Sequence, residues 1–96
     1  MSERLDFLYA NRGTIKAIAA RHKVLSIAVF GSVARGEDSP KSDFDFLVKT
    51  EPGASLFDLA GLHVDLVDFL KSEVDIVDEG GLFPRDSHIR EEALPL

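Results

Sequence analysis

Apolar positions change their period several times along this chain. Over residues 3–23, Leu5, Leu8, Ile15, Ile18 and Ala19 recur at three- and four-residue spacing, which predicts one helix with Gly13 as the weak point in its middle. VLSIAVF, residues 24–30, is a nearly unbroken apolar run that stops at Gly31-Ser32, the pattern of a buried strand. SVARG has room for a single helical turn, and EDSPKS is loop by composition. DFDFLVK, residues 43–49, switches to period two and reads as a second strand.

After Pro52-Gly53, Ser55 and Asp58 form a capping box at the start of a second helix, residues 55–71. Its wheel puts Leu56, Leu59, Ala60, Val64, Leu66, Val67 and Leu70 on one broad face, with Asp58, Asp65 and Asp68 opposite. EVDIVD, residues 73–78, is a third strand closed by Gly80-Gly81, and residues 86–94 can form a short last helix. Phe30, Phe44, Phe46, Phe57 and Phe69 stand at core spacings, and Tyr9 faces its own helix. The order α-β-turn-β-α-β-α predicts an α/β (α+β) unit with one small mixed sheet flanked by helices.

Ninety-six residues suit one domain spanning 1–96, and 45% apolar with 29% charged residues is ordinary globular composition. The absence of cysteine excludes disulfides, thiolate metal sites and cysteine nucleophiles, and fits a cytoplasmic protein. No apolar run approaches the roughly 18 residues of a membrane span, and the charged first residues do not read as a signal peptide. Residues 1–48 carry seven Lys/Arg and six Asp/Glu (+1), whereas residues 49–96 carry four and eleven (−7), which sum to −6. Such an acidic chain is a poor binder of nucleic-acid polymers, whose phosphates demand cations.

The candidate chemistry is concentrated between residues 31 and 45. In a strand, Asp43 and Asp45 point the same way and Phe44, Phe46 and Val48 the other. Taken singly, Gly-Ser is a turn and Asp-x-Asp a wet strand edge. Together they place paired hard-oxygen ligands suited to Mg²⁺ near a glycine turn whose backbone N–H groups can meet phosphate. Gly31-x4-Gly36 has P-loop glycine spacing, but Glu37-Asp38 stands where Lys-Ser/Thr is required. An EF-hand begun at Asp43 fails at Val48 and Ala54. His22 and His88 are isolated, and His63 falls within the apolar helical face, so none reads as a zinc ligand.

The string from Gly31 to Val48, GSVARGEDSPKSDFDFLV, resembles the signature of the minimal nucleotidyltransferases of the DNA polymerase beta-like superfamily. It has Gly-Ser, Ala-Arg-Gly, a spacer, and Ser42 ahead of Asp43-x-Asp45, and the likeness runs on to the closing REEALPL. The resemblance implies the polymerase beta-like nucleotidyltransferase fold and transfer of a nucleoside monophosphate, AMP from ATP, with release of pyrophosphate. It implies two Mg²⁺ ions on Asp43 and Asp45, with Gly31 and Ser32 on the phosphates and a third carboxylate on a neighbouring strand. Arg35 either neutralises triphosphate charge or is solvated, and Ser42 either donates to phosphate or caps its loop.

Two near-repeats, HVDLVD (63–68) and EVDIVD (73–78), offer Asp65 or Asp75 as the third carboxylate. A strand at Asp65 leaves too short a crossover after residue 50, so Asp75 is expected as the metal ligand and Asp65 on the polar face of the helix. Small members of the family pair with HEPN-domain ribonuclease toxins as antitoxins, which implies a hydroxyl of the toxin, a tyrosine, as acceptor. Two alternatives stand beside this reading: a non-catalytic module that masks its partner, and transfer to a small molecule.

Overall fold

The structure, a computed structural model, describes residues 3–96. The first apolar stretch folds as two helices instead of one, α1 (Glu3–Ala10) and α2 (Arg12–Ala20). The break falls at Asn11 and not at Gly13. The side-chain amide of Asn11 donates to the Phe7 carbonyl at 2.8 Å, the same carbonyl its own N–H reaches at 3.0 Å. A short polar side chain that competes for backbone groups interrupts the helix more effectively than glycine does here.

β1 (Val24–Phe30), the short α3 (Gly31–Arg35), β2 (Phe44–Thr50), α4 (Leu56–Leu70) and β3 (Val74–Asp78) follow the expected order. β2 begins at Phe44, so Asp43 stands immediately before the strand, although Phe44 N–H already bonds to the Glu73 carbonyl at 3.0 Å. β1 and β2 run antiparallel, while α4 carries the crossover that lets β3 lie parallel to β2. Two 3₁₀ turns lead to α5 (Ser87–Glu92). The chain then adds a strand absent from the sequence reading: β4 (Leu94–Pro95) pairs with Ala28 and Val29 of β1, giving the order β3-β2-β1-β4. α5 ends early because Ala93 has turned to extended backbone, ψ 132°, and Leu94 precedes Pro95, which disfavours helix.

Phe44, Phe46 and Val48 are buried on one face of β2 and pack with Ile27, Val29, Leu5, Leu8, Ile15, Leu62 and Leu66 in one hydrophobic cluster. α1, α2 and α4 therefore cover this face, and Asp45 and Leu47 point to the other. The inward stripe of α4 is Leu62, Leu66 and Leu70, with Leu59 and Val67 at its margins. Leu56 (81% exposed), Val64 (64%) and Phe57 (88%) lie outside it, contrary to the helical-wheel and core assignments. The apolar face of α4 is wider than the sheet it packs on, and the sheet takes only the part facing it. Phe44 and Phe46 are core as expected, Phe30 and Phe69 are only half-buried, and Tyr9 packs against the cluster. No helix among the described residues is long and apolar enough to cross a membrane.

Candidate active site

Strand register lines up the candidate carboxylates. Phe30, the last residue of β1, is opposite Asp45, and Asp45 is opposite Asp75 of the parallel β3. Register partners in a sheet share a face, so Asp45 and Asp75 project side by side from the face away from the core. Gly31 follows Phe30 with φ +74°, a conformation that favours glycine. A Cβ at this position would fall on Asp45 Oδ2, so the bare backbone of Gly31 is what allows Asp45 its place.

The electrostatics follow from this crowding. Partial burial, together with the charges of Asp75 and Asp43, pushes the Asp45 carboxyl up to about 6 from 3.8, and a hydrogen bond with Asp75 works in the same direction. Arg35 opposes the rise only weakly. Negative charge has thus been assembled here without a cation to offset it, which suits a divalent ion with oxygen ligands. Among the described residues no group of three His, Asp or Glu already stands close enough to form a metal cluster. The fit therefore rests on adjacent carboxylates whose set would be completed by substrate oxygens, as Mg²⁺ ordinarily prefers.

Near the glycine the sequence reading is only partly met. Ser32 is half-buried in α3. Arg35 is neither free nor simply solvated: its Nη1 donates to Glu92 Oε2 at 3.0 Å and its Nε to Glu37 Oε2 at 3.2 Å. Ser42 Oγ accepts the Ser39 N–H at 2.8 Å, and the Ser42 carbonyl accepts from Arg4 Nη2, so in this structure Ser42 closes its loop. Arg4 also lies 4.2 Å from the centre of the Phe44 ring, tying α1 to the loop that delivers Asp43.

Glu92 is the residue that sequence reasoning missed. Its Oε1 accepts the Gly31 N–H at 3.0 Å and its carboxylate also takes Arg35. Burial of Glu92 favours the neutral acid, but the Gly31 N–H and Arg35 outweigh it and hold the carboxyl below the usual range. No local signal announces a contact across 61 positions of chain.

Asp65 lies on α4, and it is not a bystander: Asp65 Oδ2 meets His22 Nε2 at 2.6 Å. His22 comes this close because a Cβ on Gly61 would collide with its ring. His63, expected to be packed or to face a partner, is exposed and bonds through Nε2 to the Val74 carbonyl at 2.9 Å. An open groove lined by Leu56, Leu59, Ala60, His63, Val74, Asp75 and Ile76 runs between α4 and β3, and brings Asp75 to the surface.

The chain is similar in sequence and fold to known proteins. Residues 12–94 match the nucleotidyltransferase domain family. A protein of Methanocaldococcus jannaschii assigned as a protein adenylyltransferase is 39% identical over 67 residues, covering 70% of this chain and 72% of its own. A second such protein of that organism is 37% identical over 82 residues, or 85% of this chain and 81% of its own. A solved structure assigned as a minimal nucleotidyltransferase superposes with a TM-score of 0.85 at 45% identity, covering 96% of this chain and 95% of that one. A chain from the complex of the tri-AMPylated Shewanella oneidensis HEPN toxin with its MNT antitoxin gives a TM-score of 0.67 at 20% identity, covering 91% and 69%, and shares the fold. Asp45 and Asp75, in register on adjacent strands with Gly31 just beyond the end of β1, thus sit in a chain that belongs to the nucleotidyltransferase domain family, as one of its minimal members.

Proposed function

We propose that this nucleotidyltransferase moves AMP from ATP, with Mg²⁺, to a hydroxyl of a protein partner, and that the partner is a HEPN-type toxin for which the chain serves as antitoxin. The observation that carries the reading is the pairing of Asp45 with Asp75 beside Gly31, whose lack of a side chain leaves room for Asp45. The protein-adenylyltransferase assignments of the Methanocaldococcus jannaschii relatives and the HEPN–MNT complex among its structural neighbours support the acceptor class.

Asp43, Asp45 and Asp75 are the residues to hold Mg²⁺, which when bound supplies charge compensation and polarises the reacting phosphate. The Gly31 N–H, Ser32 and Arg35 face the β and γ phosphates, and Ser42 orders the loop before Asp43. In the transfer the acceptor oxygen forms a bond to the α phosphorus, the bond to the bridging oxygen of pyrophosphate breaks, and pyrophosphate carries away that electron pair. Asp75, exposed and in register with Asp45, accepts the hydroxyl proton as the new bond forms.

The test is dose and mass. Substoichiometric protein with ATP and Mg²⁺ should inactivate excess toxin and leave it heavier by adenylate. Asp43→Asn with Asp45→Asn should lose both effects while still binding the partner. The masking reading has one observation in its favour, the exposed apolar Leu56, Phe57 and Val64 of α4. It requires protection that is stoichiometric, independent of nucleotide and intact in the double variant, and that result would replace the catalytic reading.

A further inference from the structure

Glu92 meets the two groups that the proposed function assigns to phosphate. Its Oε1 accepts the Gly31 N–H at 3.0 Å and Arg35 Nη1 at 3.2 Å, while Oε2 takes Arg35 Nη1 at 3.0 Å. Two anionic oxygens shared between a backbone N–H and a guanidinium reproduce how a phosphate is held, with less charge. The carboxylate is only 23% exposed, so it fills the position rather than hovering over it.

α5, which delivers Glu92, has no buried residue. The residues after it are held: β4 pairs with Ala28 and Val29, Leu96 N–H reaches the Ile27 carbonyl at 3.1 Å, and Leu94 and Leu96 pack against the core. Elements with few buried contacts open at low free-energy cost. The Glu92 carboxylate and α5 can therefore leave the cradle while β4 stays paired with β1.

We propose that Glu92 is an internal competitor for the triphosphate: it occupies the Gly31 and Arg35 cradle in the nucleotide-free protein and is displaced, with α5, when Mg·ATP binds. This deepens the nucleotide-transfer reading and rests on it. A carboxylate that instead stays in place to orient Arg35 has the opposite sign of effect, because its loss would weaken nucleotide binding.

The experiment pairs calorimetry of Mg·ATP binding to wild type and Glu92→Gln with hydrogen exchange of wild type. Glutamine keeps the shape and can still accept the Gly31 N–H, but gives up the charged bond to Arg35. Removing a charge-assisted contact of this kind should tighten Mg·ATP binding about tenfold. Exchange in residues 87–93 of wild type should speed up on adding Mg·ATP, which a purely structural role for Glu92 would not produce. Equal or weaker affinity in a folded Glu92→Gln, or exchange in 87–93 that is unchanged or slowed, overturns the competition while leaving the nucleotide reading intact. If Glu92→Gln does not fold, the wild-type exchange decides. Failure of Mg·ATP to bind either protein overturns the nucleotide reading itself, and the competition with it.

Discussion

At Gly31 the backbone conformation and the neighbouring carboxylate make the same demand. Alanine there meets both the cost of φ +74° and a clash of its Cβ with Asp45 Oδ2. Gly31→Ala should destabilise the fold by about 1–3 kcal/mol in urea and reduce transfer far more than that loss explains, because Asp45 must move. Asp45 itself gives a pH signature. Its folded-state carboxyl stands at about 6 against 3.8 unperturbed, so the metal-free folded state holds the proton more tightly than the unfolded chain. Its contribution to stability is then fully present below pH 3.8 and is lost as the pH rises through about 6. Asp45→Asn removes this loss. The gap in melting temperature between Asp45→Asn and wild type, without metal, should widen in favour of the variant from about pH 4 to about pH 7. A gap that narrows over that range contradicts the crowding of carboxylates.

Among the elements, α4 and β3 separate the two near-repeats. Asp75→Asn should abolish transfer with the fold retained, since Asp75 projects from the sheet beside Asp45. Asp65→Asn should keep transfer and lose at most about 1 kcal/mol, the worth of its part-exposed pair with His22. Parallel activity assays and thermal melts of the two variants check both halves. α1 has a less obvious part. Arg4 reaches the carbonyls of Pro40 and Ser42, and its Nε lies 3.9 Å from Asp38, whose carboxylate is 4% exposed. Asp38 Oδ1 and Arg4 Nε have no hydrogen-bond partner, so Arg4 is the main compensation for a buried charge. Arg4→Ala should cost about 2–3 kcal/mol by denaturant unfolding and slow transfer by loosening the loop before Asp43.

For the whole molecule, charge is unevenly distributed along the chain. The formal charge of −6 comes from the second half of the chain, the half that also contains the exposed Leu56, Phe57 and Val64. Asp58, Asp65 and Asp68 share α4 with these apolar side chains, which suits the protein partner proposed above if it is basic, since complementary charge speeds encounter and buried apolar area holds the complex. Phe57→Ser with Val64→Ser should leave stability within about 0.5 kcal/mol, because neither side chain belongs to the core. The same double variant should weaken protection against the toxin, measured by growth on co-expression. Undiminished protection would place the partner on another face.

Local pattern determined β1, β2, the crossover helix and β3, because burial on one face writes its period directly into neighbouring residues. The same locality made Gly31-Ser32 and Asp43-x-Asp45 legible, and crossover length was enough to favour Asp75 over Asp65. What only the tertiary structure decided depends on partners distant in sequence. Asn11 and not Gly13 ends α1, Leu62 joins the core while Leu56 and Val64 do not, and Gly61 is small because His22 lies on it. β4 is two residues long and carries no period of its own, and it exists because β1 offers a free edge. Glu92 is the extreme case: one glutamate in a charged tail, indistinguishable in composition from Glu91, is put against Gly31 and Arg35 by the fold alone. Periodicity records which face of an element is buried, whereas a single side chain's partner across the sheet is fixed only when the strands are in register.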